Sequence, residues 1–184
     1  MFKRHVFGLA TFVGLTVVAQ AEPLPGVRFD IMPVGCRIHG AYSTGERIVS
    51  EYTGRRGGKH VIKTYDGPAR TKLIRTTFYD KNGFMVRKDW AGGKWETFSP
   101  YSCFDVPGSC RYTYNNADGQ TSVFVGKVTR KGKSVISTGG FEGEAPFPAT
   151  RVTPGPYNAG ESFNDGSVSF KVTKYENCGD TLSS

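Results

Sequence analysis

Short runs of β-branched and aromatic residues, separated by turn signals, recur along most of this chain. The clearest turn is Asn82-Gly83, the dipeptide that most strongly indicates a two-residue hairpin. Of the 163 residues after position 21, 55 are Val, Ile, Thr or aromatic, and only three are Leu. Because such side chains suit a pleated surface, the composition disfavours a helical bundle, a doubly wound nucleotide-binding fold and a disordered chain. The sequence therefore predicts an all-β domain.

The spacing of these runs predicts about nine or ten strands. Arg70 to Tyr79 and Phe84 to Trp90 flank the Asn-Gly turn, and Val168 to Thr173 alternates as a final strand. Short turns between successive runs favour an antiparallel meander, with a barrel-like or a sandwich shape. Four prolines between Gly139 and Asp165 predict a long Pro- and Gly-rich loop near 139–165.

The first 21 residues have the three-part pattern of a secretory signal peptide. Lys3 and Arg4 precede an apolar run from Val6 to Ala19, and Ala19-Gln20-Ala21 is a small-x-small cleavage site. The apolar run is shorter than the roughly 20 residues that span a bilayer, which favours a cleaved signal over a membrane anchor. No second apolar run follows it, so no transmembrane segment is expected after cleavage. We therefore expect a cleaved signal at 1–21 and a single all-β domain at 22–184, located in a periplasm or secreted.

Four cysteines follow the predicted cleavage site, and an even number in an exported chain indicates two disulfides. We expect Cys103 to pair with Cys110, because Pro107-Gly108 lets the chain reverse between them. Cys36 and Cys178 would then tie the start of the domain to its end. The two other pairings remain open. No metal or other cofactor is expected, because the closely spaced Cys and His pairs of zinc sites are missing.

Basic side chains surround two of the predicted turns. The first group is Arg55, Arg56, Lys59 and His60, and the second is Lys127, Arg130, Lys131 and Lys133. An up-and-down strand order would put both turns at one end, where their field attracts anions. The alternative is that these charges serve solubility and protect hairpin tips. The candidate partners are an anionic lipid, a glycan or an acidic protein; nucleic acid is not expected after export.

Aromatic side chains flank the Cys103–Cys110 loop and form the second candidate surface. They are Trp90, Trp95, Tyr112 and Tyr114. Aromatic rings with a polar tip suit contact with amphiphiles or sugars, although each ring could instead pack in the core. The first hypothesis is a monomeric, non-enzymatic binding or structural module for an anionic or amphiphilic envelope component or a partner protein.

Enzymatic motifs do not stand out, so no catalytic residue is assigned. Five residues separate Gly126 from Gly132, whereas a phosphate-binding loop needs four. An exported hydrolase of an envelope polymer remains an alternative, and a pocket joining His39 or His60 to an acid of perturbed pKa would favour it. A third hypothesis is a secreted inhibitor or effector that inserts the disulfide loop with Phe104 into a partner.

Overall fold

The computed structural model describes residues 26–103, 108–157 and 160–179, which contain twelve strands and no helix. The strands are β1 (Arg37–Tyr42), β2 (Arg47–Arg56), β3 (Lys59–Asp66), β4 (Lys72–Tyr79), β5 (Met85–Trp90), β6 (Trp95–Ser99), β7 (Gly108–Asn116), β8 (Thr121–Lys131), β9 (Ser134–Phe141), β10 (Phe147–Pro154), β11 (Gly160–Asn164) and β12 (Ser169–Glu176). The signal peptide predicted at 1–21 lies outside the described residues.

The strands form one antiparallel sheet in which each strand pairs with its neighbours in sequence. β1 pairs with β2 on one side and with β12 on the other, so the strand order returns to its start, as in a barrel. The predicted all-β antiparallel meander is confirmed, and of the two shapes left open the barrel is the one observed. The strands number twelve in the described ranges, rather than nine or ten.

The prediction of a long loop near 139–165 is wrong, because this segment forms the end of β9 and the strands β10 and β11. Proline normally interrupts a sheet because it cannot donate a ladder hydrogen bond. Here Pro148 lies where the β9–β10 ladder shifts register, and Pro154 lies at a second shift in the β10–β11 ladder. Both prolines therefore occupy irregular positions at which the sheet tolerates them.

The antiparallel order gives the barrel two distinct ends. At one end lie the turns that follow even-numbered strands, and residues 26–36 cross this end. The backbone N–H of Val27 donates to the carbonyl of Gly83 at 3.0 Å, and that of Arg28 to the carbonyl of Tyr157 at 2.8 Å. We call this the plugged end, and we call the opposite end, with the turns that follow odd-numbered strands, the mouth.

Both disulfides lie at the plugged end and confirm the predicted pairing. Cys36 bonds to Cys178 across a Cα–Cα distance of 4.4 Å, and Cys103 bonds to Cys110 across 5.8 Å. Disulfides are typical of oxidising compartments outside the cytosol. No helix among the described residues is long and apolar enough to cross a membrane.

The crossing segment is part of the hydrophobic core. Phe29 is buried, its ring stacks on His60 at a centroid distance of 4.4 Å, and it contacts Tyr52 and Tyr79 at 4.9 and 5.1 Å. A second cluster contains Phe98, Cys103, Cys110, Tyr112, Phe124, Val128 and Val135. The core therefore has one part under the crossing segment and another between β6 and β9.

Gly83 lets the crossing segment approach the β4–β5 turn. Its φ is +81°, and a Cβ atom there would lie 2.2 Å from the carbonyl oxygen of Val27. We expect Gly83→Ala to lower the free energy of unfolding by about 3 kcal/mol, because left-handed strain and a backbone clash add. Gly92→Ala is the matched control: φ there is +95°, but nothing lies within 4 Å of its Cβ position. Denaturant unfolding should show a loss of only about 1 kcal/mol for the control, and equal losses would contradict the contact.

Candidate binding site

Three neighbouring strands turn charged side chains into the barrel. Thr77 of β4 is buried, and Lys88 of β5 lies directly opposite it. Two residues before Thr77, Arg75 lies opposite Trp90, and Glu96 of β6 lies opposite Lys88. Residues paired across a ladder share a face, and so do residues two apart on one strand. All five of these residues of β4, β5 and β6 therefore point inward.

Lys88 lies between one carboxylate and two aromatic rings. Its Nζ is 3.6 Å from Oε2 of Glu96, 5.4 Å from the ring centroid of Phe98 and 5.9 Å from that of Trp90. The Trp90 Nε1–H donates to Oε1 of Glu96 at 3.0 Å, and the guanidinium carbon of Arg75 lies 5.5 Å from the Trp90 ring. Two cations and one carboxylate therefore surround Trp90, which leaves an excess of positive charge.

Burial is the main influence on the protonation of this lysine. It lowers the pKa of Lys88, and nearby Arg75 lowers that pKa further, whereas Glu96 raises it. The Lys88 side chain as a whole is 24% exposed. It is thus partly removed from water, which is the condition under which a charge interacts strongly with an anion.

A cavity of about 450 Å³ opens beside these residues at the mouth. Its lining includes Trp90, Trp95, Glu96, Tyr114 and Asn116, together with residues of the β5–β6 and β7–β8 turns. Both turns follow odd-numbered strands, which places the cavity at the mouth. The volume falls within the range of small-ligand sites. Three of the four aromatic residues singled out from the sequence therefore lie around one cavity.

Tyr112, the fourth of these residues, lies in the core instead. It is buried, and its ring stacks on Phe124 at 5.0 Å. Burial raises the pKa of Tyr112 far above its ordinary value. Tyr112 and Tyr114 share a face of β7, but Tyr112 is two residues further from the mouth. Its ring therefore packs below the cavity rather than lining it.

An aromatic surface continues from the cavity across the inner face of the sheet. Tyr114 contacts Phe98 at 5.9 Å and Phe141 at 5.5 Å, and Phe141 contacts Phe147 at 5.6 Å. Burial is the main cause that raises the pKa of Tyr114, with a further contribution from Glu96. Phe147 is exposed. The rings form a continuous path from the cavity to solvent.

The two basic groups lie at the plugged end, away from this cavity. The β2–β3 turn carries Arg55, Arg56 and Lys59, and the β8–β9 turn carries Lys127, Arg130, Lys131 and Lys133; all seven are exposed. Both turns follow even-numbered strands and so share one end. The basic and aromatic groups therefore form two separate surfaces.

His60 is not part of the basic surface, contrary to the sequence-based grouping. Its ring points inward, with Nδ1 2.8 Å from the hydroxyl oxygen of Tyr52, and stacks on Phe29. Burial, assisted by the charge of Arg55, lowers the pKa of His60. Because β3 alternates, His60 faces the opposite way from its exposed neighbour Lys59.

His39 lies on the outer face of β1 in an ion-pair network. Its Nε2 is 2.9 Å from Oε2 of Glu176, and Nη1 of Arg37 donates to Oε1 of the same carboxylate at 2.6 Å. Arg37 above all, and then His39, lower the pKa of Glu176. A cavity of about 300 Å³, lined in part by His39 and Lys174, lies beside the pair.

Arg75, Lys88 and Glu96 were not singled out from the sequence as site residues. The available signal is Lys88, a charged residue that alternates with Val86 and Trp90 and therefore shares a strand face with these two apolar side chains. Phe104, proposed for the inserting loop, lies outside the described residues. Within the described ranges, no group of three or more His, Cys, Asp or Glu side chains is placed to hold a metal ion.

Comparisons with known proteins assign no family to this chain. No protein-family model, curated protein or solved structure matches this chain.

Proposed function

We propose that this chain is an exported, non-enzymatic module that binds an acidic oligosaccharide in the cavity at the mouth. The observation that carries the proposal is that Trp90, Trp95 and Tyr114 line one cavity while Arg75 and Lys88 lie against Trp90. The two disulfides support a location in an oxidising compartment, where envelope and extracellular glycans are found.

Sugars fit this lining because they combine apolar ring faces with polar rims. The aromatic side chains supply flat apolar surfaces with polar edges. Glu96 and Asp118 supply hydrogen-bond acceptors. The Asn116 amide is engaged in its own turn, where Nδ2 donates to Oε1 of Gln120 and Oδ1 accepts the backbone N–H groups of Asp118 and Gln120. Sugar hydroxyl groups can therefore be paired around the rim while a ring face covers an indole or phenol.

An acidic sugar fits better than a neutral one because of the excess positive charge. Lys88 lies 3.6 Å from Glu96, and Arg75 forms no ion pair with another described residue. The charges of Lys94 and Asp118, which also line the cavity, balance each other. A partly desolvated cation gains more from a ligand carboxylate than an exposed cation does, because water screens the interaction less. A carboxylate on the sugar would balance the charge inside the mouth.

Isothermal titration calorimetry with trigalacturonate and maltotriose tests the proposal. We expect the acidic trisaccharide to bind and the neutral one to bind at least about tenfold more weakly. Lys88→Met should weaken the binding of trigalacturonate by a similar factor. Lys72→Met, which removes an exposed cation near the mouth, should leave this binding unchanged. Equal binding of both sugars would refute the acidic-ligand assignment, and binding of dodecanoate alone would identify an amphiphile site.

The affinity for trigalacturonate should fall as the pH rises through the pKa of Lys88. Burial lowers this pKa, so the loss should begin below the pH at which an ordinary lysine deprotonates, about 10.4. Lys88→Arg should retain its affinity across the same pH range, because arginine stays protonated. Titrations at successive pH values check this, and identical profiles for the two proteins would contradict a role for Lys88.

The same shift has an opposite consequence for the unliganded protein. Between the lowered folded pKa of Lys88 and the ordinary unfolded value, the unfolded chain binds more protons than the folded chain. The contribution of Lys88 to the free energy of unfolding therefore increases as the pH rises through this window. A loss of binding there cannot be attributed to unfolding by this group.

A second candidate function is supported by the His39–Glu176 pair beside its own cavity. A histidine held by a carboxylate can act as a general base in hydrolysis. His39→Gln should then abolish any hydrolysis of an envelope polymer by the purified protein, whereas His60→Gln should not. Unchanged activity in His39→Gln would leave the pair as a structural element of the β1–β12 seam.

A further inference from the structure

Seven exposed cations at the plugged end belong to two turns on opposite sides of the barrel. They are Arg55, Arg56 and Lys59 in the β2–β3 turn, and Lys127, Arg130, Lys131 and Lys133 in the β8–β9 turn. In a ring of twelve strands these turns are six strand positions apart, so they lie across the end from each other. The positive charge thus extends over the breadth of the end.

The described acids at this end are engaged elsewhere. Asp30 pairs with Arg28 at 2.7 Å, and Glu176 pairs with Arg37 and His39. The Asp80 carboxylate accepts the backbone N–H groups of its own turn. None of the seven cations forms an ion pair with another described residue, so their charge is available to a partner.

Two exposed aliphatic side chains accompany the cations. Ile31 is 43% exposed and Val34 is 68% exposed, and both belong to the segment that crosses the plugged end. Val34 lies against the β2–β3 hairpin, where its Cγ2 is 3.5 Å from the Cβ position of Gly54. Aliphatic side chains next to lysine and arginine are the combination found where proteins contact anionic membranes.

The turns at the mouth contain more acids than bases. Glu46, Asp118, Glu142, Glu144 and Asp165 lie in turns that follow odd-numbered strands, whereas Arg70 and Lys94 are the bases in those turns. A molecule with this asymmetry is oriented by a negatively charged plane, with its plugged end toward the plane. The cavity at the mouth then faces away from that plane.

We propose that the plugged end docks on anionic phospholipid headgroups. The seven cations lie over the headgroups, and Ile31 and Val34 insert between them. The cations lie on two sides of one end, and the aliphatic side chains lie between that end and its partner. A flat array of negative charges fits this arrangement better than a single acidic protein segment does. This surface is separate from the proposed glycan site, and either proposal can fail alone.

Vesicle co-sedimentation with phosphatidylglycerol in phosphatidylcholine tests the docking. We expect binding at low salt that weakens as salt is added, and no binding to phosphatidylcholine alone. The triple variant Arg55→Gln, Arg56→Gln, Lys59→Gln should bind about 100-fold more weakly, at roughly fivefold per charge. The control triple variant Arg47→Gln, Lys72→Gln, Lys171→Gln removes the same number of exposed cations near the mouth and should bind within about twofold of the unmodified protein.

Equal losses of vesicle affinity in the two triple variants would overturn the proposed orientation. Binding would then depend only on the net charge of the protein. Binding to polyglutamate as strong as binding to the vesicles would overturn the lipid assignment in favour of an acidic protein. Val34→Asp tests the insertion separately, because this side chain is exposed and its replacement should leave the unfolding midpoint unchanged. Undiminished vesicle binding by Val34→Asp would contradict insertion of the aliphatic pair.

Discussion

Replacing Cys36 and Cys178 with alanine is expected to lower the free energy of unfolding by about 5 kcal/mol, because this crosslink closes a loop of nearly the whole domain. The two cysteines are 142 residues apart. In the chain-entropy model, a crosslink stabilises the fold by restricting the unfolded chain, and the restriction grows with the length of the closed loop. The same bond fixes the crossing segment and the end of β12 to each other.

Removing the Cys103–Cys110 disulfide in the same way provides the comparison. These cysteines are only 7 residues apart, for which the model gives about 2.5 kcal/mol. Urea unfolding of the two double-alanine variants measures both effects under one set of conditions. A larger loss for the short loop than for the long one would show that local packing, rather than loop closure, determines the contribution of these bonds.

Phe124→Ala is expected to lower the free energy of unfolding by about 4 kcal/mol, the cost of a large cavity in a packed core. Phe124 is 1% exposed, and its ring contacts Tyr112, Phe141 and Phe147 at centroid distances of 5.0, 6.0 and 6.4 Å. These neighbours come from β7, β9 and β10. The loss should therefore loosen the half of the barrel that carries the aromatic surface.

Val125→Ala is the matched control for Phe124→Ala. The two residues are adjacent on β8, but Val125 points outward and is 42% exposed. We expect its replacement to change the free energy of unfolding by less than about 1 kcal/mol. Similar losses for the two variants would contradict the inward and outward assignment of β8, and with it the register of the surrounding ladders.

The fold class could be predicted because it depends on features that act locally. Turn dipeptides such as Asn82-Gly83 and the shortage of leucine favour short strands wherever they occur. The strand number was underestimated because Pro148 and Pro154 signal a loop to any local rule. Only the pairing of β10 with its neighbours shows that both prolines lie at register shifts. The pairing of distant strands therefore shows that this segment forms strands, which the local residue pattern does not.

The candidate site was predicted in part. The alternation of side chains along a strand shows which face a residue lies on, but not how far it lies from the mouth. Tyr112 and Tyr114 share one face of β7, yet only Tyr114 is near enough to the mouth to line the cavity. Arg75 and Lys88 became site residues only when the register of β4 and β5 placed them around Trp90. That register depends on a bulge between Phe78 and Tyr79, which no turn signal marks.

The tryptophan fluorescence of the folded protein tests the central claim most directly. The chain has two tryptophans, Trp90 and Trp95, and both line the cavity at the mouth. If that cavity binds acidic oligosaccharides, trigalacturonate should produce a saturable change in emission that maltotriose does not produce and that Lys88→Met largely removes. No change with trigalacturonate, or an equal change with maltotriose, would contradict the account.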